Sequence, residues 1–258
     1  MKNRIEELFA HPKGPVLSVF FTAGFPKLHD TVTIAIALEE AGVDLIEVGI
    51  PFSDPVADGP TIQDSNKVAL ENGISVARIL EQVREMRSKV KLPIILMGYL
   101  NPVYQYGVDR FVREAAEAGA DGFIFPDMPW HDYEKRYQKL FEAHGMLNIF
   151  LVAPTTSEDR IRKIDAVSKG FIYAVSSSST TGARKGFGEE QLQYFKRLKD
   201  LKLNNPFLIG FGISDRDTFS SASTFGAGAI VGSAFINLLK ESKDLSNDIT
   251  AFVKKIKG

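Results

Sequence analysis

The chain contains no cysteine, which removes disulfides, thiol nucleophiles and cysteine-ligated metals at once. Histidine is scarce. His11, His29, His131 and His144 are the only four, and no two stand three or four residues apart. That spacing speaks against a metal site on a helix, and none is expected. No apolar run is long enough to span a bilayer, and the opening MKNRIEELFAHPKG has no apolar signal core. A dominant charge is absent too: 31 Lys+Arg stand against 32 Asp+Glu, so no basic field exists for nucleic acid or an anionic membrane. The expectation is a soluble, cytoplasmic protein with neither kind of partner.

What the chain does have is apolar sequence in short pieces. Of its 258 residues 44% are apolar, enough for a sizeable core, and barrels of this length are often a single domain. Eight runs read as strands: VLSVFFTA (16–23), DLIEVGIP (44–51), LPIILMGYL (92–100), DGFIFPD (121–127), LNIFLVAP (147–154), GFIYAVS (170–176), PFLIGFG (206–212) and GAIVGSAF (228–235). Most are nearly continuous in apolar character, as strands covered on both faces are. Amphipathic segments lie between them, among them DTVTIAIALEEAG, SVARILEQVREMRSKV, FVREAAEAGA and EEQLQYFKRLKD. EEAGVDLIEV, AEAGADGFIF and STFGAGAIVG each place Gly between a helix end and a strand, which predicts a left-handed C-cap and an immediate return. Repeated right-handed crossovers give a parallel sheet, and eight of them predict a closed (β/α)8 TIM barrel over residues 1–258 as one domain. MKNRIEELFA reads as an extra N-terminal helix plugging the barrel floor.

Chemistry in such barrels sits where the strands end. In DLIEVGIP, alternation turns Ile46, Val48 and Ile50 toward the helices and Leu45, Glu47 and Gly49 into the barrel. A carboxylate there needs a partner or a function, and the other seven runs carry no Lys or Arg. Burial would lift its pKa toward neutrality, where a general acid/base works best. In the following PFSDPVADGP, Pro51, Pro55 and Pro60 stiffen the chain; from spacing alone Asp54 and Asp58 read as turn formers or a helix cap. GFGIS (210–214) and VGSAF (231–235) put glycines at the last two strand ends, the usual phosphate site of a barrel, although tight turns would use the same glycines. SSSSTTGARKGFG (176–188) has the composition of a mobile lid or of an ordinary flexible loop.

Taken together, EVGIPFSDPVADGPTIQ, MGYLNPVYQYG, PDMPW, the TTG after strand six, GFGIS and VGSAF resemble the tryptophan synthase alpha subunit family, over essentially the whole chain. The resemblance implies a retro-aldol cleavage of indole-3-glycerol phosphate to indole and glyceraldehyde 3-phosphate, with no cofactor. It makes Glu47 the acid/base and gives Asp58 the indole N–H, overriding the turn reading of Asp58. It implies a substrate site walled by Phe20, Thr22, Ile62, Met97, Tyr99 and Tyr173, with Thr181 in the lid. Gly182, Phe211, Gly212, Gly232 and Ser233 become the phosphate cradle. It further implies a beta subunit that carries pyridoxal phosphate and joins indole to serine, in an alpha2beta2 complex. Pro51, Asp54, Asn101, Tyr104 and Trp130 fall on the rim that would face it. The chain departs from the commonest family pattern at SSSSTTG in the lid and at Pro126 before Asp127. Three other readings stay open at this point: a different phosphosugar enzyme on the same fold, a non-catalytic phosphosugar-binding activator of a beta subunit, and a stand-alone lyase that releases indole.

Overall fold

Nine strands lie among residues 2–176 and 186–258, the part of the chain described by the computed structural model. They are β1 Val16–Thr22, β2 Leu45–Gly49, β3 Ile94–Met97, β4 Gly122–Ile124, β5 Leu147–Ile149, β6 Leu151–Val152, β7 Ile172–Val175, β8 Phe207–Gly210 and β9 Gly228–Val231. All pair in parallel, in the order β5-β4-β3-β2-β1-β9-β8-β7-β6. The two ends of that order are one stretch of chain, since only Phe150 separates β5 from β6. The Tyr173 N–H donates to the Phe150 carbonyl at 2.9 Å and carries the ladder across the break. The sheet is thus closed, an eight-stranded TIM barrel whose fifth strand is nicked at its middle. Each of the eight apolar runs supplies one strand of it.

Two apolar layers follow from the alternation along each strand. Val19 and Phe21 of β1, with Ile46 and Val48 of β2, point outward and pack under the helices. Val16, Leu45, Ile95, Ile124, Ile149, Tyr173, Leu208 and Ile230 fill the barrel itself. Helix Arg4–Ala10 closes the floor. Asn3 caps it by accepting from the Ile5 N–H, and its amide donates to the carbonyls of Asp121 and Gly145. Ile5 is wholly buried among the barrel-filling residues, worth about 2–3 kcal/mol as a buried apolar side chain. Gly170 leaves it room, since a Cβ there would stand 2.8 Å from Ile5 Cγ2.

Three details differ from the sequence reading. The run 92–100 stops being strand at Met97, and Leu100 opens a helix, Leu100–Tyr106, whose first N–H is taken by both carboxylate oxygens of Asp127 at 3.1 and 3.0 Å. The run 228–235 likewise divides, with Ser233 starting the helix Ser233–Glu241. Gly42 and Gly119 are left-handed at φ 87° and 96°, as the helix-to-strand returns require. Gly226 is not; the helix Arg216–Ser223 ends on Thr224 at φ −74°, and Gly226 serves close approach, because a Cβ would lie 2.7 Å from the Phe207 carbonyl. Among the described residues no helix is long and apolar enough to cross a membrane.

Candidate active site

Two acidic side chains are buried within the strand ladder region, and the structure treats them in opposite ways. Asp121, at the floor end of β4, bonds Arg4 and Arg87 at 2.9 Å each and accepts the Ile94 N–H at 2.8 Å. Its charge is fully answered. Glu47, in the middle of β2, is fully buried and faces the barrel interior, in register with Phe20 of β1 and Ile95 of β3. Among the described residues its single hydrogen bond comes from Ser18, whose Oγ donates to Oε1 at 2.7 Å, and Oε2 has no partner. Burial raises the Glu47 pKa from an ordinary 4.5 to about 7, with the Ser18 bond pulling the other way. Such a group gives and takes a proton near neutrality.

Asp58 stands on the loop that leaves β2, near enough to Tyr173 for its charge to act on the phenol, as that of Glu47 does. It does not cap the following helix: Pro60–Glu71 has Gly59 at its N-cap position and no side-chain cap. Its carboxyl instead turns inward, half-buried, where desolvation raises its pKa and a hydrogen bond from Tyr99 opposes the rise. The Tyr99 hydroxyl also accepts the Ala57 N–H at 3.0 Å, so the tyrosine holds the loop at the acid and at the residue before it. Tyr173, on β7 across the barrel, is held firmly as the neutral phenol by burial and by the charges of Glu47 and Asp58. These three groups therefore share one space at the strand ends.

Phe20 and Thr22, named from the sequence as walls, lie on β1, Met97 ends β3, and Ile62 stands on the helix Pro60–Glu71. Phe20 lies over Gly49, where a Cβ would come within 2.7 Å of its ring. Thr22 is buried and bonds Ser65 through their hydroxyls at 2.7 Å. Ile62 is half-buried on the first turn of its helix, and Met97 packs against the barrel-filling layer. Thr181 and Gly182 lie outside the described residues. Sequence reasoning missed Ser18, although its parity with Phe20 and Thr22 places it inward. It also missed Gly210, whose absent side chain makes room for the Tyr173 ring.

Of the residues expected to form a phosphate cradle, Phe211, Gly212, Gly232 and Ser233 stand at the ends of β8 and β9, and Ser176 lies beside them. Phe211 and Gly212 are both left-handed, at φ 68° and 76°. For Phe211 this costs about 1–2 kcal/mol, and such strain concentrates at functional sites. Ser176 holds the turn by donating its hydroxyl to the Phe211 carbonyl at 2.8 Å, while its N–H bonds the Gly210 carbonyl. Gly232 precedes the helix Ser233–Glu241, whose intrahelical bonding begins with the N–H groups of Phe235 and Ile236. The earlier N–H groups and the exposed Ser233 hydroxyl are therefore available to an anion. A Cβ on Gly212 would meet protein only at ordinary contact, 3.8 Å from Phe187 and 3.9 Å from Ser176 Oγ. Gly212→Ala and Gly73→Ala should thus cost similar stability, about 1 kcal/mol, because Gly73 has a matching φ of 83° and open space around it. Only Gly212→Ala should weaken glycerol phosphate binding, by tenfold or more (~1.4 kcal/mol), as read by calorimetry. Equal affinity in the two variants would reduce Gly212 to a turn residue.

The residues read as a partner rim divide. Asp54 and Asn101 are exposed, Trp130 is half-buried, and Tyr104 is 50% exposed with its hydroxyl on that of Tyr137. Pro51 is buried: it follows directly on Ile50, whose N–H still bonds Met97, so it belongs to the barrel wall and not to the surface. Val56, on the same loop, is 92% exposed.

Comparison with known proteins agrees with this geometry. Residues 9–257 match the family profile described as tryptophan synthase alpha chain. The curated tryptophan synthase alpha chain of Christiangramia forsetii is 52% identical over 243 residues, 94% of each chain. That of Flavobacterium psychrophilum is 50% identical, covering 98% of this chain and 99% of the relative. Among solved structures, tryptophan synthase subunit alpha of Legionella pneumophila superimposes with a TM-score of 0.89 at 36% identity, over 100% of this chain and 98% of that one. A chain of the Pyrococcus furiosus tryptophan synthase complex gives 0.85 at 32% identity, with both chains fully covered. Similarity of this extent, over a barrel with these strand ends, shows that the chain belongs to the tryptophan synthase alpha chain family.

Proposed function

We infer that this chain cleaves indole-3-glycerol phosphate to indole and glyceraldehyde 3-phosphate, as the alpha subunit of a tryptophan synthase in tryptophan biosynthesis. The observation that supports it most strongly is Glu47, a fully buried inward carboxyl with an unpartnered Oε2, facing Asp58 and Tyr173 at the strand ends. The reaction needs one proton at C3 of the indole ring and the loss of another from the side-chain hydroxyl on the adjoining carbon. The C3–carbon bond then breaks, its electrons return to the ring, and the hydroxyl carbon becomes the aldehyde. The two proton sites are neighbours, so one carboxyl that both gives and takes serves them and ends the cycle in its starting state. While C3 carries the extra proton the ring nitrogen is electron-poor, and the Asp58 carboxylate stabilises its N–H. Phe20, Thr22, Ile62, Met97, Tyr99 and Tyr173 enclose the indole, and Phe211, Gly212, Gly232 and Ser233 hold the phosphate.

The alpha subunit itself needs no cofactor. Pyridoxal phosphate belongs to the beta subunit, with which this chain forms an alpha2beta2 assembly. We place the protein in the cytoplasm as one barrel domain over residues 1–258. Asp54, Val56, Asn101, Tyr104 and Trp130 are the surface offered to the partner. The loop from Pro51 to Pro60 joins that surface to Asp58, and its three prolines let it pass on a displacement that a glycine-rich loop would absorb. Turnover of indole-3-glycerol phosphate by the isolated chain tests the reading. Low activity is expected alone and a rise of about tenfold or more with a beta subunit, equal to at least ~1.4 kcal/mol of barrier. Asp54→Ala should reduce this activation more than the basal rate. No turnover in either condition would make the chain a binding module; full activity alone, unmoved by partner, would make it a stand-alone lyase.

A further inference from the structure

The inner face of β1 carries a hydroxyl whose position has a chemical consequence. Ser18 is fully buried, in register with Leu45 of β2 and Ile230 of β9, and its Oγ reaches diagonally to Glu47 Oε1 at 2.7 Å. We propose that Ser18 is a positioning residue for Glu47: it selects Oε2 as the oxygen that carries the proton. This rests on the reading of Glu47 as the proton carrier.

The argument runs through the protonation states. An ionised carboxylate accepts on both oxygens, whereas a carboxylic acid has one O–H and one carbonyl oxygen. Ser18 donates to Oε1 in either state, so the proton is left to Oε2, the oxygen without a partner. No hydrogen bond has to switch as the proton leaves and returns, and the plane of the carboxyl keeps one orientation through the cycle. The donated bond also favours the ionised form, against the desolvation that disfavours it. The other titratable groups around this space are Tyr173 on β7 and, at the strand ends, Asp58 and Tyr99. Strands β1–β9 contain no Lys, Arg or His. Ser18 is therefore the group on the neighbouring strands that counters burial.

The test uses Ser18→Ala, which deletes one oxygen, and Ser18→Thr, which restores the hydroxyl. The Glu47 carboxyl is followed directly by 13C NMR of glutamate-labelled protein, with Glu47→Gln identifying its resonance, and the pH dependence of kcat/KM is measured alongside. In Ser18→Ala the Glu47 midpoint should move up by about one pH unit, and the kinetic midpoint should follow it. Ser18→Thr should return both toward the wild-type value. An unmoved carboxyl midpoint in Ser18→Ala overturns the proposal, whatever the rate does. A carboxyl midpoint that moves while the kinetic profile stays supports the hold of Ser18 on Glu47 and instead overturns Glu47 as the proton carrier.

Discussion

Replacing Glu47 with Gln is expected to lower cleavage of indole-3-glycerol phosphate by at least ~10²-fold, the lower range for loss of a general acid/base. The amide keeps the shape of the side chain and accepts from Ser18 through its carbonyl oxygen, so the pocket walls have no reason to move. Substrate analogues should therefore bind nearly as well as before. The proposed phosphate cradle lies elsewhere, at the ends of β8 and β9, so its grip should not depend on β2. In kinetic terms the loss falls on kcat with KM little changed, the pattern of an interaction made in the transition state. Near-normal turnover by the variant would remove Glu47 from the chemistry. A large loss of analogue binding would make it a structural residue of the pocket.

The same substitution should stabilise the fold at neutral and alkaline pH. The sign follows from the two pKa values. Glu47 titrates at about 7 in the folded protein and near 4.5 when exposed by unfolding, so between those values the folded state binds the extra proton. Stability contributed by that proton is full below pH 4.5 and is lost as the pH rises through about 7. Above that, wild type carries a buried, half-answered charge that the Gln variant does not. A shift of this size corresponds to about 3 kcal/mol at its plateau. Chemical denaturation of both proteins from pH 4 to pH 9 reads it as a growing advantage of the variant, absent at the acid end. A constant difference across that range would show that the carboxyl is not desolvated in the native barrel.

An activity lost where stability is gained is the mark of a residue kept for function and not for the fold. Asp121 makes the comparison within one molecule. It is equally a buried acid, yet two arginines and a backbone N–H satisfy it, and it stands at the floor end of its strand, away from the strand ends where the candidate site lies.

Much of this was legible from residue order because a parallel barrel is written in its strands. Continuous apolar runs announce strands covered on both faces, and the period of two then decides that Glu47 faces inward while Ile46 and Val48 face the helices. Glycines at the ends of β8 and β9 marked the proposed cradle for a similar reason: there, backbone can come close to a ligand. What stayed hidden depends on contacts between strands. Nothing in VLSVFFTA says that Ser18 will sit diagonally across from Glu47; that is set by the register of β1 on β2. The inward turn of Asp58 was equally hidden, because Asp before Gly is a common turn and only the Tyr99 contact turns its carboxyl from solvent. Ser233 was placed at a strand end, but it starts a helix; the chain leaves the sheet at Gly232, and apolar continuity through AIVGSAF masks the change. Pro51 was assigned to the rim from its neighbours in sequence, whereas one residue of extra strand-like pairing keeps it in the wall.

The central claim is that burial in β2 makes Glu47 the proton carrier of the cleavage. The measurement closest to it compares two midpoints in the wild-type protein, that of the Glu47 carboxyl by 13C NMR and that of kcat/KM for indole-3-glycerol phosphate. The account predicts that both fall near 7 and coincide. A carboxyl that titrates near its ordinary value, or a rate that crosses neutral pH without an ionisation there, would contradict it.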